Sequence, residues 1–299
     1  MPIDEREQDN RVLRTLIITA LTETGRSRDA VYEKIGEFYY FNAPKYLYKY
    51  YSESPLNLDA IKKHEMWYSA PCNFNDAFDC DISINEKALF ECFLKEASQE
   101  RRIRQGSSGW MNLKGVVHKQ IHNLQEEFEE TKRTTGISCL SESDSSLLMW
   151  AHYANNHKGM CVEYELLKIS NQLKFTPVPV IYTNDRVTLS SLESENLDRD
   201  TMKIFVESIT TKSSEWNYEK EWRIIRDEAA CGTRWNKADK GALLEMIRPT
   251  SITLGCRAEG NFEKSVRKYC EKEKVTLYKM EKNKDKYQLD KKVVVGFSN

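Results

Sequence analysis

Near the N-terminus, Leu13, Leu16, Ile17, Ala20 and Leu21 recur at helical spacing and fall on one stripe. A Thr-Gly-Arg-Ser break follows, then a second helical run from Val31 to Tyr40, closed before Pro44 because proline is poorly tolerated inside a helix. The pattern predicts an N-terminal helical extension over 1–44 and a single domain over 45–299. The domain opens on Tyr46 to Tyr51, an aromatic run suited to a strand. A short helix carrying Leu56, Leu58 and Ile61 comes next, then a strand over Met66 to Ser69 stopped by Pro71. Two amphipathic helices over 86–104 and 113–133 form a helical insertion (86–134), with Val117, Ile121, Leu124 and Phe128 on one stripe of the second.

Past Gly136 the texture changes to short strands: Ile137 to Leu140, Met160 to Tyr164, Val178 to Tyr182, Trp222 to Ile225, Ile252 to Leu254 and Val275 to Met280. Helical stretches near 145–156, 200–213 and 261–272 separate them, without a regular βαβ beat. This predicts an α+β fold: a mixed or split antiparallel sheet with flanking helices. The Ser-, Asp- and Glu-rich stretch 185–200 reads as a surface loop.

Composition narrows the function classes. Lys plus Arg (45) nearly balance Asp plus Glu (46), which argues against nucleic-acid binding through bulk charge. The eight cysteines include no C-x-x-C pair and several lie in apolar runs, as buried thiols of a reducing compartment do. The polar, acidic N-terminus is unlike a signal peptide, and no apolar run is long enough to span a bilayer, so the expectation is a cytoplasmic protein with no membrane partner.

Four segments could carry chemistry. In the first, strand alternation places Tyr48 and Tyr50 on one face and Lys49 on the other, either as an aromatic pair beside a solvated lysine or as polar groups aimed into a cleft. The second runs from Asn73 to Asp81. There Phe74 and Phe78 can anchor a loop while Asn75, Asp76 and Asp79 bond backbone amides. Its weaker alternative is a cation site using Asp76, Asp79 and Asp81, although their spacing is not that of a calcium loop. The third is a short helix, capped by Ser143 or Asp144, that gathers Trp150, His152 and Tyr153, with His157 beyond it. Met149 and Tyr153, four apart, share a helix face. A planar ring could stack on such a cluster.

The fourth segment, Trp216-Asn217-Tyr218-Glu219-Lys220-Glu221-Trp222-Arg223, is the most informative. If a strand starts at Glu219, then Glu219, Glu221 and Arg223 point the same way. Two carboxylates on one face repel by about 1 kcal/mol when adjacent and partly screened, so cations must compensate them or function must require them. A surface ladder with Arg223 or a lysine as counter-charge is the plain reading.

Together, Tyr-Lys-Tyr, F-N-D-x-F-D, L-L-M-W-A-H-Y-A with its downstream H-K-G-M-C-V-E-Y, and W-x-Y-E-x-E-W-R resemble the family catalogued as domain of unknown function 2971, over roughly 46–290. The resemblance implies a protein of bacterial genomes and defence islands. More distantly, Glu219-Lys220-Glu221 is similar to the Glu-x-Glu pair of the ADP-ribosyltransferase superfamily, whose split α+β sheets cradle NAD. That likeness implies an NAD-consuming effector, as in toxin or phage-defence systems, with NAD as substrate. Glu221 would stabilise an oxocarbenium ion and Glu219 would orient the acceptor. Tyr48, Lys49, Tyr50, Trp150, His152, Tyr153 and Arg223 would line the nucleotide site, with Lys49 where the superfamily uses an Arg or His. The implied partners are a small nucleotide substrate and a macromolecular acceptor or partner protein. A metal-dependent nuclease or phosphoesterase, drawing on the three aspartates with Glu163 or Glu221, and a non-catalytic ligand- or protein-sensing module are the alternatives.

Overall fold

The computed structural model describes residues 5–100, 102–173, 176–190, 197–231 and 241–297. The chain starts with α1 (Glu5–Thr22) and α2 (Gly25–Phe41), which turn about Gly25 in the left-handed region (φ +59°). β1 (Tyr46–Tyr51), α3 (Pro55–Lys62), β2 (Glu65–Ser69) and the two-residue β3 (Ser83–Ile84) follow. Next come α4 (Glu86–Glu100), α5 (Ser108–Thr134), β4 (Thr135–Ser141), α6 (Leu147–His152), β5 (Met160–Glu165) and α7 (Leu166–Leu173). The middle of the chain is broken into short pieces: β6 (Val178–Pro179), β7 (Ile181–Thr183), β8 (Thr188–Leu189), α8 (Leu197–Ile209) and β9 (Thr211–Ser213). β10 (Glu221–Asp227), α9 (Glu228–Cys231), β11 (Gly241–Glu245), β12 (Ser251–Leu254), α10 (Gly260–Glu273), β13 (Thr276–Lys282) and β14 (Leu289–Val295) complete it.

The fold is α+β. Among the described residues ten strands join one mixed sheet, in the order β11-β2-β4-β1-β5-β12-β13-β14, with β10 and β6 branching from β4. The branch is a split. β4 pairs with β10 along its whole length on one edge. On its other edge it meets β2 at Ile137 and β1 at Ser141. All pairings in this sheet are antiparallel except β12 with β13.

One face of the sheet is sealed. Leu47, Leu140, Val162, Trp222, Ile224 and Ile252 pack there in a single apolar cluster with Leu13, Ile17, Ile35 and Phe38 of α1 and α2. Burial of that apolar area, worth roughly 25 cal/mol per Å², is the main force holding the N-terminal helices down. Tyr39 lies 6.5 Å from Trp222 and its hydroxyl donates to the Pro177 carbonyl. α4 and α5 keep a separate core around Leu89, Phe93, Leu113, Val117 and Ile121.

The stretch 185–200, expected to be a surface loop, holds β8 with Leu189 fully buried in that second core; its residues 191–196 lie outside the described ones. The helix expected over 145–156 is shorter. Ser146, rather than Ser143 or Asp144, caps it by accepting from the Met149 N–H. It stops at His152, and beyond it Asn155, Asn156 and His157 all take positive φ. This left-handed run leads to Gly159, where a Cβ would sit 1.9 Å from the Tyr51 carbonyl oxygen, so only glycine fits. No helix among the described residues is long and apolar enough to cross a membrane.

Candidate functional site

Strand register brings the separated segments together. Across the second face of the sheet Glu221 pairs with Ser141, Ser141 with Tyr48, Tyr48 with Glu163, and Glu163 with Ser251. Directly paired residues present their side chains to the same face, so the acidic segment and the first aromatic strand share one surface. α6 lies on that surface. Trp150 packs edge-on against Tyr50 at 5.3 Å, and Tyr153, one turn after Met149, donates its hydroxyl to Glu219 Oε1.

The doublet is not the strand ladder expected of it. Glu219 ends a 3-10 turn over Ser214–Glu219, Lys220 takes the left-handed conformation (φ 46°), and β10 begins only at Glu221. This turn aims both carboxylates at one ammonium. Lys212 Nζ lies 2.6 Å from Glu219 Oε2, 3.3 Å from Glu221 Oε2 and 3.3 Å from Asp79 Oδ2. The Arg223 guanidinium completes the cluster. Its Nε donates to Glu221 Oε1 at 2.8 Å, its Nη2 to both Asp79 oxygens at 2.9 and 2.8 Å, and its Nη1 to the Ile209 carbonyl at 2.7 Å. The counter-charges are those anticipated, an arginine and a lysine, but the ladder is not at the surface: Glu219, Glu221 and Arg223 are 3%, 4% and 0% exposed.

Three carboxylates thus face two cations in a low-dielectric setting, where only dense hydrogen bonding offsets desolvation. The backbone adds its share. Ser141 Oγ donates to the Glu219 carbonyl, and the Tyr182 hydroxyl accepts from the Glu221 N–H at 2.9 Å. The two glutamates titrate in opposite directions. Burial opposes ionisation of Glu221, yet Arg223 and Lys212 outweigh it and hold the carboxyl at about 2. Burial and the neighbouring Glu221 charge raise Glu219, and Lys212 and Tyr153 only partly offset them. Burial, then the Glu219 charge, pushes the Tyr153 phenol up. Burial would lower the Lys212 ammonium, but Glu221, Asp79 and Glu219 raise it.

Several expected site residues are placed differently. Trp150 is fully buried and its indole N–H donates to the Asp144 carbonyl, so its face is closed to a ligand ring. Arg223 is equally closed. Lys49 is not solvated: its ammonium reaches the Cys139 carbonyl at 2.9 Å, and burial lowers its pKa. Tyr50 is buried and its hydroxyl donates to the Ser143 carbonyl. His152 is exposed beside Tyr153 and Tyr218, while Tyr48 and Tyr153 are half-buried.

In the second segment, Asp76 does bond a backbone amide, that of Phe78 at 2.9 Å, and exposed Asn75 approaches the Tyr153 hydroxyl. Asp79 is instead an ion-pair partner of Arg223. Phe74 anchors the loop under the Arg223 guanidinium (5.4 Å), whereas Phe78 is 65% exposed and lies under the Arg186 guanidinium (5.4 Å) instead of in the core. The three aspartates do not converge, since Asp81 turns to Arg186 and Lys132. Among the described residues no His, Cys, Asp and Glu cluster is arranged to hold a metal ion.

Lys212, Tyr182 and Trp216 are the functional candidates that sequence reasoning passed over. Trp216 is half-buried over the Lys212 ammonium at 4.9 Å, so it supplies the open aromatic surface that Trp150 does not. Lys212 sits in the short β9, whose parallel pairing with β7 fixes it opposite Tyr182. A lone lysine in a polar stretch gave no signal.

Fold and site define an α+β protein whose split sheet carries a buried carboxylate–cation cluster under a rim of Tyr153, Trp216, Tyr218 and His152. The profile of the family described as Protein of unknown function (DUF2971) matches residues 149–224, from α6 to β10, a shorter span than the four segments implied. Neither the curated proteins nor the solved structures compared with it give a match.

Proposed function

We propose that the chain is an ADP-ribosyltransferase-like, NAD-consuming enzyme, acting as a toxin or defence effector. The observation that carries this reading is the pair of adjacent carboxylates with opposed titration, Glu221 held ionised and Glu219 raised toward neutrality. Neighbouring acids driven apart in this way divide into a fixed charge and a proton-transfer group. Cleaving the bond from ribose C1′ to the nicotinamide nitrogen sends the electron pair out with nicotinamide and leaves positive charge on the sugar. The fixed Glu221 charge stabilises that cation through the low-dielectric interior. An acceptor nucleophile then bonds to C1′ and gives its proton to Glu219, whose pKa is raised by burial and the Glu221 charge, the direction that strengthens a general base. Trp216, Tyr218 and Tyr153 offer aromatic surface for the nucleotide's planar rings.

A second reading, a non-catalytic ligand-sensing module, is favoured by the saturation of Glu221. Oε1 is taken by Arg223, and Oε2 by Arg223 and Lys212, which leaves a ligand only the rim. Incubation with labelled NAD and total cell lysate separates the two. The enzymatic reading expects nicotinamide release and a labelled acceptor, with release reduced about a hundredfold or more in Glu221→Gln and acceptor labelling lost in Glu219→Gln. NAD that raises the melting temperature without releasing nicotinamide selects the sensing module. No binding and no release sinks both.

A further inference from the structure

A cavity of about 980 Å³ opens where α1, α2, the last turns of α5, α8 and the end of β10 meet. Pockets that hold small molecules usually run to roughly 300–1,000 Å³, so this one takes a sizeable ligand. Its wall is apolar, built from Ile17, Ala20, Leu124, Phe128, Phe205 and Ile225. At its margin Leu21, Tyr32 and Met202 are 49%, 41% and 40% exposed, three large apolar side chains left in water around one opening.

The charged groups there are mostly acidic. The carboxylates of Glu127, Glu130 and Asp227 line it beside the Arg226 guanidinium, and Glu130 also pairs with Arg133 at 3.0 Å. Thr131 and Thr134 spend their hydroxyl protons on helix carbonyls of α5, so toward the cavity they too can only accept. An apolar chamber with an acidic, acceptor-rich margin suits an apolar body joined to a positively charged, hydrogen-bond-donating head.

We infer that this cavity is a binding site for a small cationic amphiphile of the alkylamine type. The site adjoins the ion cluster, because Ile209, which lines the cavity, gives its carbonyl to Arg223. An occupant therefore presses on the turn of α8 that holds that guanidinium. The inference does not rest on NAD chemistry.

The test uses the full chain and the neutral fluorescent probe N-phenyl-1-naphthylamine. Probe fluorescence should rise saturably, and dodecylamine should displace the probe at about one-tenth of the laurate concentration required, the ratio that one charge-assisted contact supplies. Ala20→Phe should weaken probe binding about tenfold by filling the chamber. Because Ala20 is buried and that variant can fail to fold, Leu21→Trp at an exposed marginal position provides the same test. Absence of saturable binding, laurate competing as well as dodecylamine, or unchanged binding in folded Leu21→Trp would each overturn the assignment.

Discussion

Trp222 and Arg223 are neighbours in sequence, both 0% exposed, and they live in opposite surroundings. Trp222 faces the sealed side of the sheet among leucines, isoleucines and Tyr39; only its indole N–H is polar, and Glu142 takes it at 2.7 Å. Arg223 faces the other side, where every donor it has is matched by a carboxylate, a carbonyl or the Cys80 sulfur. The apolar side gains stability from area alone and tolerates modest changes of shape. The charged side rests on matched pairs, so loss of one partner leaves the others buried and uncompensated. A sheet that needed only stability would have sealed both faces in the same way, and the charged side is therefore where function is sought.

The sharpest way to break this contrast is Arg223→Leu. It leaves three carboxylates against Lys212 alone and should cost about 3–5 kcal/mol in urea denaturation; a loss below about 1 kcal/mol would show that the cluster is not a stabilising unit. Leu254→Ala on the sealed face should cost somewhat less, about 2–4 kcal/mol. That loss should be the same at neutral and acid pH, since no titrating group is involved, and a strong pH dependence would contradict the apolar assignment.

Acid separates the faces further. Glu221 has its pKa lowered from the ordinary 4.5 to about 2, so its stabilisation is present above 4.5 and drains away as pH falls toward 2. Glu221→Gln should flatten that limb of the stability profile, and an unchanged limb would remove Glu221 as its cause. The smallest effect belongs to Glu219→Gln, within about 1 kcal/mol, because it leaves two carboxylates against two cations. Glu219 is raised, so its contribution is full below its unfolded value and is lost as pH rises through the folded one. The cost of the substitution should therefore shrink as pH rises in a denaturation series; a cost that grows with pH would reverse the assignment.

Much of the fold was legible because periodicity is local. β1, β2, α3, the two helices of the insertion and the strands at 137–140, 160–164 and 252–254 all follow from the spacing of apolar residues. The edge strands β11 and β14 escaped notice because Gly241–Glu245 and Leu289–Val295 alternate weakly, with one buried residue in each and the rest partly or fully exposed. In the site, the convergence of Glu219, Glu221, Tyr48 and Tyr153 could be read, since order along the chain and strand alternation constrain it. Burial could not. The sequence pattern Glu-x-Glu does not distinguish a strand from a turn through a left-handed Lys220, and nothing local to Lys212 announces that it serves three acids.

The N-terminal helices carry a consequence for how the protein is made. Arg6 pairs with Glu142, Tyr39 with the carbonyl of Pro177, and Arg14 with Thr211, contacts separated by 136, 138 and 197 residues. At about 5–20 residues per second, a ribosome takes roughly 10–40 s to deliver Thr211 after Arg14 has emerged. Through that interval α1 lacks Thr211 and the short elements around it, so helices synthesised early are among the last to complete their contacts.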